Sequence, residues 1–504
     1  MPRALAGARL LSPDIARVVA EQAGVCIRPL AMWVQDQQSG ERRLVNVACG
    51  ARLESACPPC ARRNRLARMA QCQEGWHLEA EPERRPSSGN PPSTESAGGC
   101  MIESAGEAST QAASAGRRVR STRRRQDAPR LPKRDKSRTT LGRTFTTKEG
   151  KVLRPSMFVT LTLPSYGRVR DGVPVEPGSY DYRRAARDAL HFSKLVDRFV
   201  QNLRRVAGWE VQYFAAVEFQ RRLAPHLHMA IRGTLARAEV RQVVAATYHQ
   251  VWWPSADRVL FDGECLPVWT EAGRYIDPAT GEVLSSWEEA LDQLASDAEA
   301  EPLHVVQFGD QVDMQGVLSG TADADRCVRY LAKYLTKAVS GGALHTSGDA
   351  RSAQRRHVGR LLEALRYEPC SPACANWLRY GVEPKRAKVG LLPGHCRGKA
   401  HRAEHLGYGG RRVLVSRKWS GKTLGEYTRE RRAWVLQTLG AEESIDPDRF
   451  LWRLAASTDP DVPRLAVRLL DLVAERQQLR RKLAQASTEK GENVAGAQHA
   501  EARQ

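Results

Sequence analysis

The stretch PHLHMAIRG, at positions 225–233, decides the fold because it predicts a strand at the centre of a sheet. Side chains alternate between the two faces of a strand, so His226 and His228 point to one face while the apolar residues between and after them pack on the other. Two imidazoles on one strand face can converge on a single divalent metal ion. The stretch therefore predicts a buried strand that carries part of a metal site.

A second strand is predicted just before it, in YFAAVEFQ at positions 213–220. A loop of roughly five residues, over 221–225, would close the two strands into a hairpin. The hairpin places Glu218 across from the histidine pair. Its carboxylate is the expected third ligand, which would leave coordination positions open for a substrate oxygen.

A helix with two tyrosines follows about 100 residues later, in CVRYLAKYLTK. Tyr330 and Tyr334 are spaced i, i+4 and share one helix face, which Lys333 and Lys337 flank. Tyrosine is a poor nucleophile at its usual pKa of about 10, but an ammonium group and a metal-polarised phosphate make attack by a phenolate feasible. The alternative interpretation is a helix with two aromatic anchors and solvated lysines.

Other elements can be placed around this hairpin. MFVTLTLP at 157–164 predicts a strand, and apolar residues at helical spacing predict a helix over 182–206. We expect a further helix over 237–252, an acidic insertion over about 255–301, and a strand over 304–314.

The charge balance favours a polyanionic partner. The 504 residues include 78 Lys and Arg against 57 Asp and Glu, a formal net charge of +21, and 41% are hydrophobic. Nucleic acid is the commonest partner of so basic a chain. No apolar run reaches the roughly 18 residues of a membrane helix, and Arg9, Pro13 and Asp14 interrupt the first apolar stretch before a signal peptide is complete. We therefore expect a cytoplasmic protein with no membrane partner.

Composition divides the chain into five sections. They are a Cys-rich module (1–78), a disordered basic linker (79–150), a core carrying the hairpin and the tyrosine helix (151–345), a basic Cys/His-containing DNA-binding segment (346–430), and a helical C-terminal segment with a polar tail (431–504).

The first cysteine cluster comprises Cys49, Cys57, Cys60 and Cys72, and Cys57-Pro-Pro-Cys60 has the two-residue spacing of a zinc knuckle. Eleven cysteines are too few for a disulfide scaffold in a chain of this length. The cluster therefore predicts structural zinc, with Cys72 in a helix as its least secure ligand.

A second cluster predicts another structural zinc site. Its expected ligands are Cys370, Cys374, Cys396 and His401, and His405 is an alternative fourth ligand. On this interpretation the zinc ions fold small modules that grip DNA, and neither site is catalytic.

The ordered set FVTLTLP, VEFQ…PHLHMAI and RYLAKYLTK resembles the HUH endonuclease superfamily, the His-hydrophobic-His nickases of rolling-circle replication. The resemblance extends over most of 150–430, including RRLAPHLH and CANWLRYGVEPK, and looks like the replication initiators of actinobacterial plasmids and integrative elements. The tyrosine motif follows the histidine pair, as in replication proteins of the superfamily, whereas conjugative relaxases have the reverse order.

The resemblance implies an α+β fold: a ferredoxin-like or RRM-like antiparallel sheet with flanking helices, joined to small zinc-type modules and C-terminal helices. It implies that His226, His228 and Glu218 hold Mg²⁺ or Mn²⁺. Tyr334 would attack the scissile phosphate, leaving a 5′-phosphotyrosine and a free 3′-OH. Lys337 would assist the phenolate; Tyr330 is either a second nucleophile or a packing residue.

The function implied is nicking and rejoining of one DNA strand at the double-strand origin of a plasmid or integrative element, which starts rolling-circle replication. The expected partners are double-stranded and single-stranded origin DNA, a host DNA polymerase, and a host helicase, since Ser416 stands where a phosphate-binding loop needs its first glycine. The alternatives are a two-tyrosine HUH single-strand transposase and a zinc-stabilised DNA-binding regulator without catalytic activity.

Overall fold

The structure is a computed structural model that describes residues 12–82, 125–150, 152–333, 335, 349–438, 449–456 and 458–501. The helices of these residues are α1 (Pro13–Gln22), α2 (Pro58–Trp76), α3 (Tyr182–Val206), α4 (Arg237–Ala245), α5 (Trp287–Ser296), α6 (Ala322–Lys333), α7 (Asp349–Tyr367), α8 (Leu424–Thr438) and α9 (Leu465–Glu501). Within this part of the chain, no helix combines the length and the apolar character that a membrane crossing requires.

The strands are mostly short, and they pair into one large sheet and several small ones. They are β1 (Leu30–Asp36), β2 (Arg42–Val47), β3 (Phe145–Thr146), β4 (Val152–Leu153), β5 (Pro155–Thr162), β6 (Val169–Arg170), β7 (Val173–Pro174), β8 (Tyr213–Phe219), β9 (Pro225–Arg232), β10 (Tyr248–Val251), β11 (Val268–Trp269), β12 (Tyr275–Ile276), β13 (Ser285–Ser286), β14 (His304–Gln307), β15 (Val312–Leu318), β16 (Val382–Glu383), β17 (Val413–Val415) and β18 (Phe450–Leu454).

The central sheet has five antiparallel strands in the order β15-β5-β9-β8-β17. Every residue of β9 is buried, because the strand has a neighbour on each side and helices on both faces. The mixture of helices and antiparallel sheets confirms the α+β class, and the hairpin of β8 and β9 confirms the two predicted strands.

The two faces of this sheet have different partners. One face packs its apolar residues, among them Leu227 and Met229, against α3, whose buried residues recur at helical spacing. Asp181 begins α3 by accepting a hydrogen bond from the backbone N–H of Arg184 at 2.9 Å. The opposite face, which includes Ala216, packs against α2 and α6. The histidine pair lies on this second face, as the alternation in β9 predicts.

Two element predictions are wrong in part. The helix expected over 237–252 ends at Ala245, and β10 pairs instead with β14. β-branched and aromatic residues dominate the segment after Ala245, and they favour a strand over a helix. The strand expected over 304–314 is two strands in different sheets, separated by a turn in which Gly309 passes close to the backbone of Pro164.

The acidic insertion packs against the Cys/His-containing segment. Trp287 of α5 shares a buried cluster with Cys374 and Trp377, and β13 pairs in parallel with β16. Burial of three tryptophan rings against one another stabilises this small unit, which has only short strands of its own.

The first and last described sections of the chain form one unit. β1 lies between β2 and β18 in an antiparallel sheet, and α1 packs against α9. The guanidinium of Arg468 donates to the side chain of Asn46 at 2.8 Å and to the carbonyl of Pro29 at 2.6 Å, which fastens α9 to this sheet.

The disordered linker expected over 79–150 needs correction for residues 79–82 and 125–150, because both segments form hydrogen bonds with other described parts of the chain. The backbone N–H of Arg134 donates to the carbonyl of Arg205 at 3.1 Å, and that of Ser137 donates to the carbonyl of Gly208 at 2.9 Å. These hydrogen bonds pair backbone N–H groups of residues 125–150 with carbonyls at the end of α3. In a disordered linker, the same N–H groups would be hydrogen-bonded to water. Residues 83–124 of the expected linker lie outside the described residues.

Candidate active site

Glu218, His226 and His228 converge on the sheet face that α6 covers. Glu218 and His226 are directly opposite each other across β8 and β9, and His228 lies two residues further along β9. Oε2 of Glu218 is 3.5 Å from Nε2 of His226 and 3.3 Å from Nε2 of His228. The structure therefore brings together all three residues that the sequence predicts as metal ligands, with ligand atoms within 4.8 Å of one another.

The burial of these groups fits a bound cation. His226 and His228 are only 8% and 2% exposed. Neither ring nitrogen of His226 forms a hydrogen bond with a described residue. A buried polar atom without a partner costs about 1–3 kcal/mol. A divalent cation between the imidazoles and the carboxylate would remove that cost.

The protonation states of the three groups also fit metal binding. Burial raises the pKa of Glu218, but the interaction with the two nearby imidazoles outweighs it, so the pKa lies below its usual value. Burial lowers the pKa of His228, although Glu218 partly opposes this. At neutral pH the carboxylate is ionised and the His228 imidazole is neutral, which are the forms that bind metal.

Thr160 holds the ring of His228 from the neighbouring strand. Its hydroxyl lies 3.0 Å from Nδ1 of His228, and the two residues are opposite each other in the register of β5 and β9. With Nδ1 hydrogen-bonded to Thr160, Nε2 is the nitrogen that faces Glu218. Such a bond fixes the orientation of a metal-binding imidazole. The sequence placed Thr160 in the predicted strand FVTLTLP, but its contact with His228 was not predicted.

Tyr330 lies beside this group. Its ring is perpendicular to those of His228 and Phe158, with centroids 5.0 Å and 6.0 Å away. The ring of Phe158 in turn lies parallel to that of His228 at 6.0 Å. Tyr330 is 41% exposed, so α6 presents a solvent-accessible phenol at the edge of the candidate metal site.

The remaining residues of the tyrosine motif are only partly described. Lys333 is the exposed last residue of α6. Tyr334, the expected nucleophile, and Lys337 lie outside the described residues.

Arg412 is a further charged residue near the site that sequence analysis missed. It precedes β17, and its carbonyl accepts a hydrogen bond from the backbone N–H of Val217 at 2.8 Å, next to Glu218. Burial lowers the pKa of Arg412 to about 10, while the charge of the Glu218 carboxylate acts in the opposite direction. The guanidinium remains cationic at neutral pH, so this edge of the site combines a carboxylate with a positive charge.

The first cysteine cluster differs from its prediction by one residue. Cys26, Cys49, Cys57 and Cys60 converge, with Sγ–Sγ distances of 3.8 Å between Cys26 and Cys57 and 3.7 Å between Cys49 and Cys60. Cys72 is not among them.

Helix geometry explains the exclusion of Cys72. It follows Cys60 by twelve residues of the continuous helix α2, or about 18 Å along the axis. It is buried near Cys327 beneath the central sheet. Cys26, which precedes Cys49 by 23 residues, carries no local spacing motif and was missed.

The second cysteine cluster is the one that the sequence predicts. The Sγ atoms of Cys370 and Cys396 are 3.9 Å apart, and Sγ of Cys374 is 3.6 Å from Nε2 of His401. Nδ1 of His401 lies 2.9 Å from the carbonyl oxygen of Leu365, which orients the ring.

The alternative ligand His405 is not part of this group. The donor sets of both cysteine clusters can hold a structural metal such as zinc.

Comparison with known proteins confirms the resemblance to replication initiators. The family described as "RepSA: Replication initiator protein, pSAM2" matches residues 13–475, and the chain belongs to this family of replication initiators. A replication initiator protein of Streptomyces ambofaciens is 25% identical over 267 residues, which cover 44% of this chain and 52% of that protein. The match thus spans about half of the length of the relative. No solved structure matches the chain.

Proposed function

We propose that this protein starts rolling-circle replication of a plasmid or integrative element by nicking and rejoining one DNA strand at the double-strand origin. The observation that carries the proposal is the convergence of Glu218, His226 and His228 on one sheet face, with Tyr330 beside them. The formal net charge of +21 suits a DNA substrate, and the family consists of replication initiators. We assign the central sheet to an HUH-type nuclease core.

In this proposal Glu218, His226 and His228 hold Mg²⁺ or Mn²⁺. The cation would polarise the scissile phosphodiester. Thr160 keeps Nε2 of His228 directed at the site. Arg412 contributes positive charge beside the carboxylate.

The proposed nucleophile is the phenolate oxygen of Tyr334. Its attack forms a bond to phosphorus and breaks the bond between phosphorus and the 3′ oxygen. The products are a 5′-phosphotyrosine and a free 3′-OH that a host polymerase extends after a host helicase separates the strands. Because the phosphotyrosine preserves the phosphodiester energy, attack by a 3′-OH rejoins the strand. We assign Lys337 the role of orienting the phenolate and stabilising its negative charge.

A second candidate function follows from the position of Tyr330. A phenol beside His228 suits a two-tyrosine cycle, the mechanism of single-strand transposases of the same superfamily. Both functions use the same nicking chemistry, and they differ in whether both tyrosines are essential.

The test is a nicking assay on single-stranded DNA from the element's candidate origin, with Mn²⁺ or Mg²⁺ present. Wild type is compared with Tyr334→Phe, Tyr330→Phe and His226→Ala, and protein–DNA adducts are scored on a denaturing gel. Tyr367→Phe, at the end of α7, is the matched control. We expect the adduct to disappear in Tyr334→Phe and His226→Ala and to persist in the control.

The other outcomes separate the alternatives. Loss in Tyr330→Phe alone would exchange the roles of the two tyrosines, and an essential role for both would favour the transposase. Absence of any adduct on every origin fragment, with specific duplex binding intact, would favour the regulator without catalytic activity.

We further propose that the two cysteine clusters hold one Zn²⁺ each. In metal analysis of the purified protein, Cys26→Ala is expected to lower the zinc content by one ion per chain. Cys72→Ala, which removes a buried cysteine outside the cluster, is expected to leave it unchanged. Loss of zinc in Cys72→Ala but not in Cys26→Ala would overturn this ligand set.

A further inference from the structure

A basic groove lies between α3 and the extended segment that precedes the core. Lys133, Arg134 and Lys136 form one wall, and Arg198 and Arg205 of α3 form the other. The groove has a volume of about 710 Å³. The hydrogen bonds between this segment and the end of α3 fix the two walls relative to each other.

Most of the positive charge in this groove is not neutralised by the protein. Arg134 pairs with Glu239. Among the described residues, no acidic side chain forms an ion pair with Lys133, Lys136, Arg198 or Arg205, all of which are exposed. Asp135 is the one acidic residue in the lining. Four cations held on two walls are suited to an extended polyanion.

The groove and the candidate active site lie on opposite sides of the central sheet. α3 covers the face that carries Leu227 and Met229, whereas His226 and His228 face α6. A helix packed on a sheet places roughly 10 Å between their axes, and the groove lies beyond that helix. A DNA segment in the groove is therefore a different segment from the one at the metal site.

We propose that this groove binds the phosphate backbone of double-stranded DNA that flanks the nick. The inference rests on the proposed function, since it assumes an origin-processing enzyme. Single-strand binding grooves provide aromatic rings on which bases stack. The lining consists of charged side chains with Gln201 and Asn202, and it contains no aromatic residue. Contacts between such side chains and DNA phosphates depend on the charge of the backbone and not on the base sequence.

The experiment measures how duplex binding depends on salt. Two double variants each remove two charges from one wall: Lys133→Gln with Lys136→Gln, and Arg198→Gln with Arg205→Gln. In each variant, the slope of the logarithm of the duplex binding constant against the logarithm of the salt concentration is expected to become shallower by up to about 2. Each phosphate contact that is lost reduces the slope by roughly 0.9. Arg481→Gln with Lys482→Gln, exposed on α9, is the matched control and should keep the wild-type slope.

Adduct formation on a single-stranded origin oligonucleotide is measured in parallel and should stay at the wild-type level. A wild-type slope in both groove variants would overturn the proposal, and so would an equal loss of affinity for duplex and single strand. A third outcome would be a shallower slope in the groove variants together with no adduct from any protein, wild type included. That result would refute the nicking function but would still support duplex binding in the groove. Thermal melting confirms that each variant is folded.

Discussion

At the scale of single residues, the candidate site includes side chains that contact the proposed metal ligands without being ligands themselves. Thr160 bonds to Nδ1 of His228, whereas Thr162, two residues along the same face of β5, donates to the carbonyl of Gln311 at 3.2 Å. The two threonines share one face of β5 and differ in their hydrogen-bond partner. They therefore separate orientation of the imidazole from general packing.

Thr160→Val removes the hydroxyl and keeps the shape of the side chain. Loss of a hydrogen bond to the outer nitrogen of a metal-binding histidine lowers metal affinity by about 10- to 100-fold. We expect a decrease of that size in Mn²⁺ affinity, measured by calorimetry, and no such decrease in Thr162→Val. Equal affinities in the two variants would contradict the role of Thr160.

Two buried histidines, His191 and His357, and the partly buried His249 predict acid sensitivity of the fold. Burial lowers the pKa of His191 to about 3 and that of His249 and His357 to about 4. Their folded pKa values lie below the unfolded value of about 6.5, so the unfolded chain binds more protons as the pH falls below that value. Stability present above pH 6.5 is therefore lost as the pH falls from about 6.5 to about 4 for His249 and His357, and to about 3 for His191.

The expected loss is up to about 1.4 kcal/mol per pH unit for each histidine. Urea unfolding at pH 7.5, 6 and 5 measures it. His191→Gln removes one titrating group, and its unfolding free energy should decline less steeply with falling pH. Parallel pH profiles for variant and wild type would show that His191 does not contribute.

At the scale of elements, the end of α2 and the segment after β17 meet around one buried arginine. The guanidinium of Arg232 donates to the carbonyls of Gly75 and Trp419. The indole N–H of Trp419 donates to the carbonyl of Cys72 at 3.2 Å. A Cβ atom on Gly75 would lie 2.2 Å from the Trp419 ring, so the helix approaches the indole only because this residue is glycine.

Gly75→Ala is therefore expected to be destabilising despite the better helix propensity of alanine. Overpacking of a buried contact costs about 1–3 kcal/mol. Gly359→Ala on α7 is the matched control: its Cβ meets no atom within 4 Å, and propensity should stabilise it by up to about 1 kcal/mol. Chemical denaturation measures both, and a stabilised Gly75→Ala would contradict the packing argument.

At the scale of the whole molecule, a buried charge network joins the core to the unit that carries the second cysteine cluster. Glu368 follows α7, and its carboxylate accepts from Arg183 at 2.7 Å and from Arg187 at 3.1 Å, both on α3. Arg187 also donates to Asp257, in the acidic insertion, at 2.9 Å. Three distant parts of the sequence thus share one network.

Glu368→Gln removes the buried carboxylate that Arg183 and Arg187 share, and leaves the nearly buried guanidinium of Arg187 with only the exposed carboxylate of Asp257. Removal of one partner from a buried ion pair costs about 3–5 kcal/mol. Glu288→Gln breaks an exposed pair with Lys385 and should cost at most about 1 kcal/mol. Unfolding free energies of the two variants test this difference, and equal values would mean that the network does not couple the units.

The sequence predicted those features of the fold that local patterns encode. Alternation in β9 and the spacing to Glu218 were sufficient to predict that Glu218, His226 and His228 converge, and the four residues of the second cysteine cluster were also predicted together. Cys26 was missed because its approach to Cys49 depends on tertiary structure, as does the docking of residues 125–150 on α3. The bond between Thr160 and His228 depends on strand register, which spacing alone does not encode.

The pairing of β1 with β18 has a consequence for synthesis. Trp33 in β1 pairs with Arg453 of β18, and its indole N–H donates to the carboxylate of Asp459, 426 residues later in the chain. The first sheet is therefore completed only when the last sections have left the ribosome. At about 5–20 residues per second, β1 of a nascent chain waits roughly 20–80 s with one edge open. Open strand edges are where chains associate wrongly. A chain truncated by an early stop codon before β18 would keep this edge open permanently, even with all five strands of the central sheet intact.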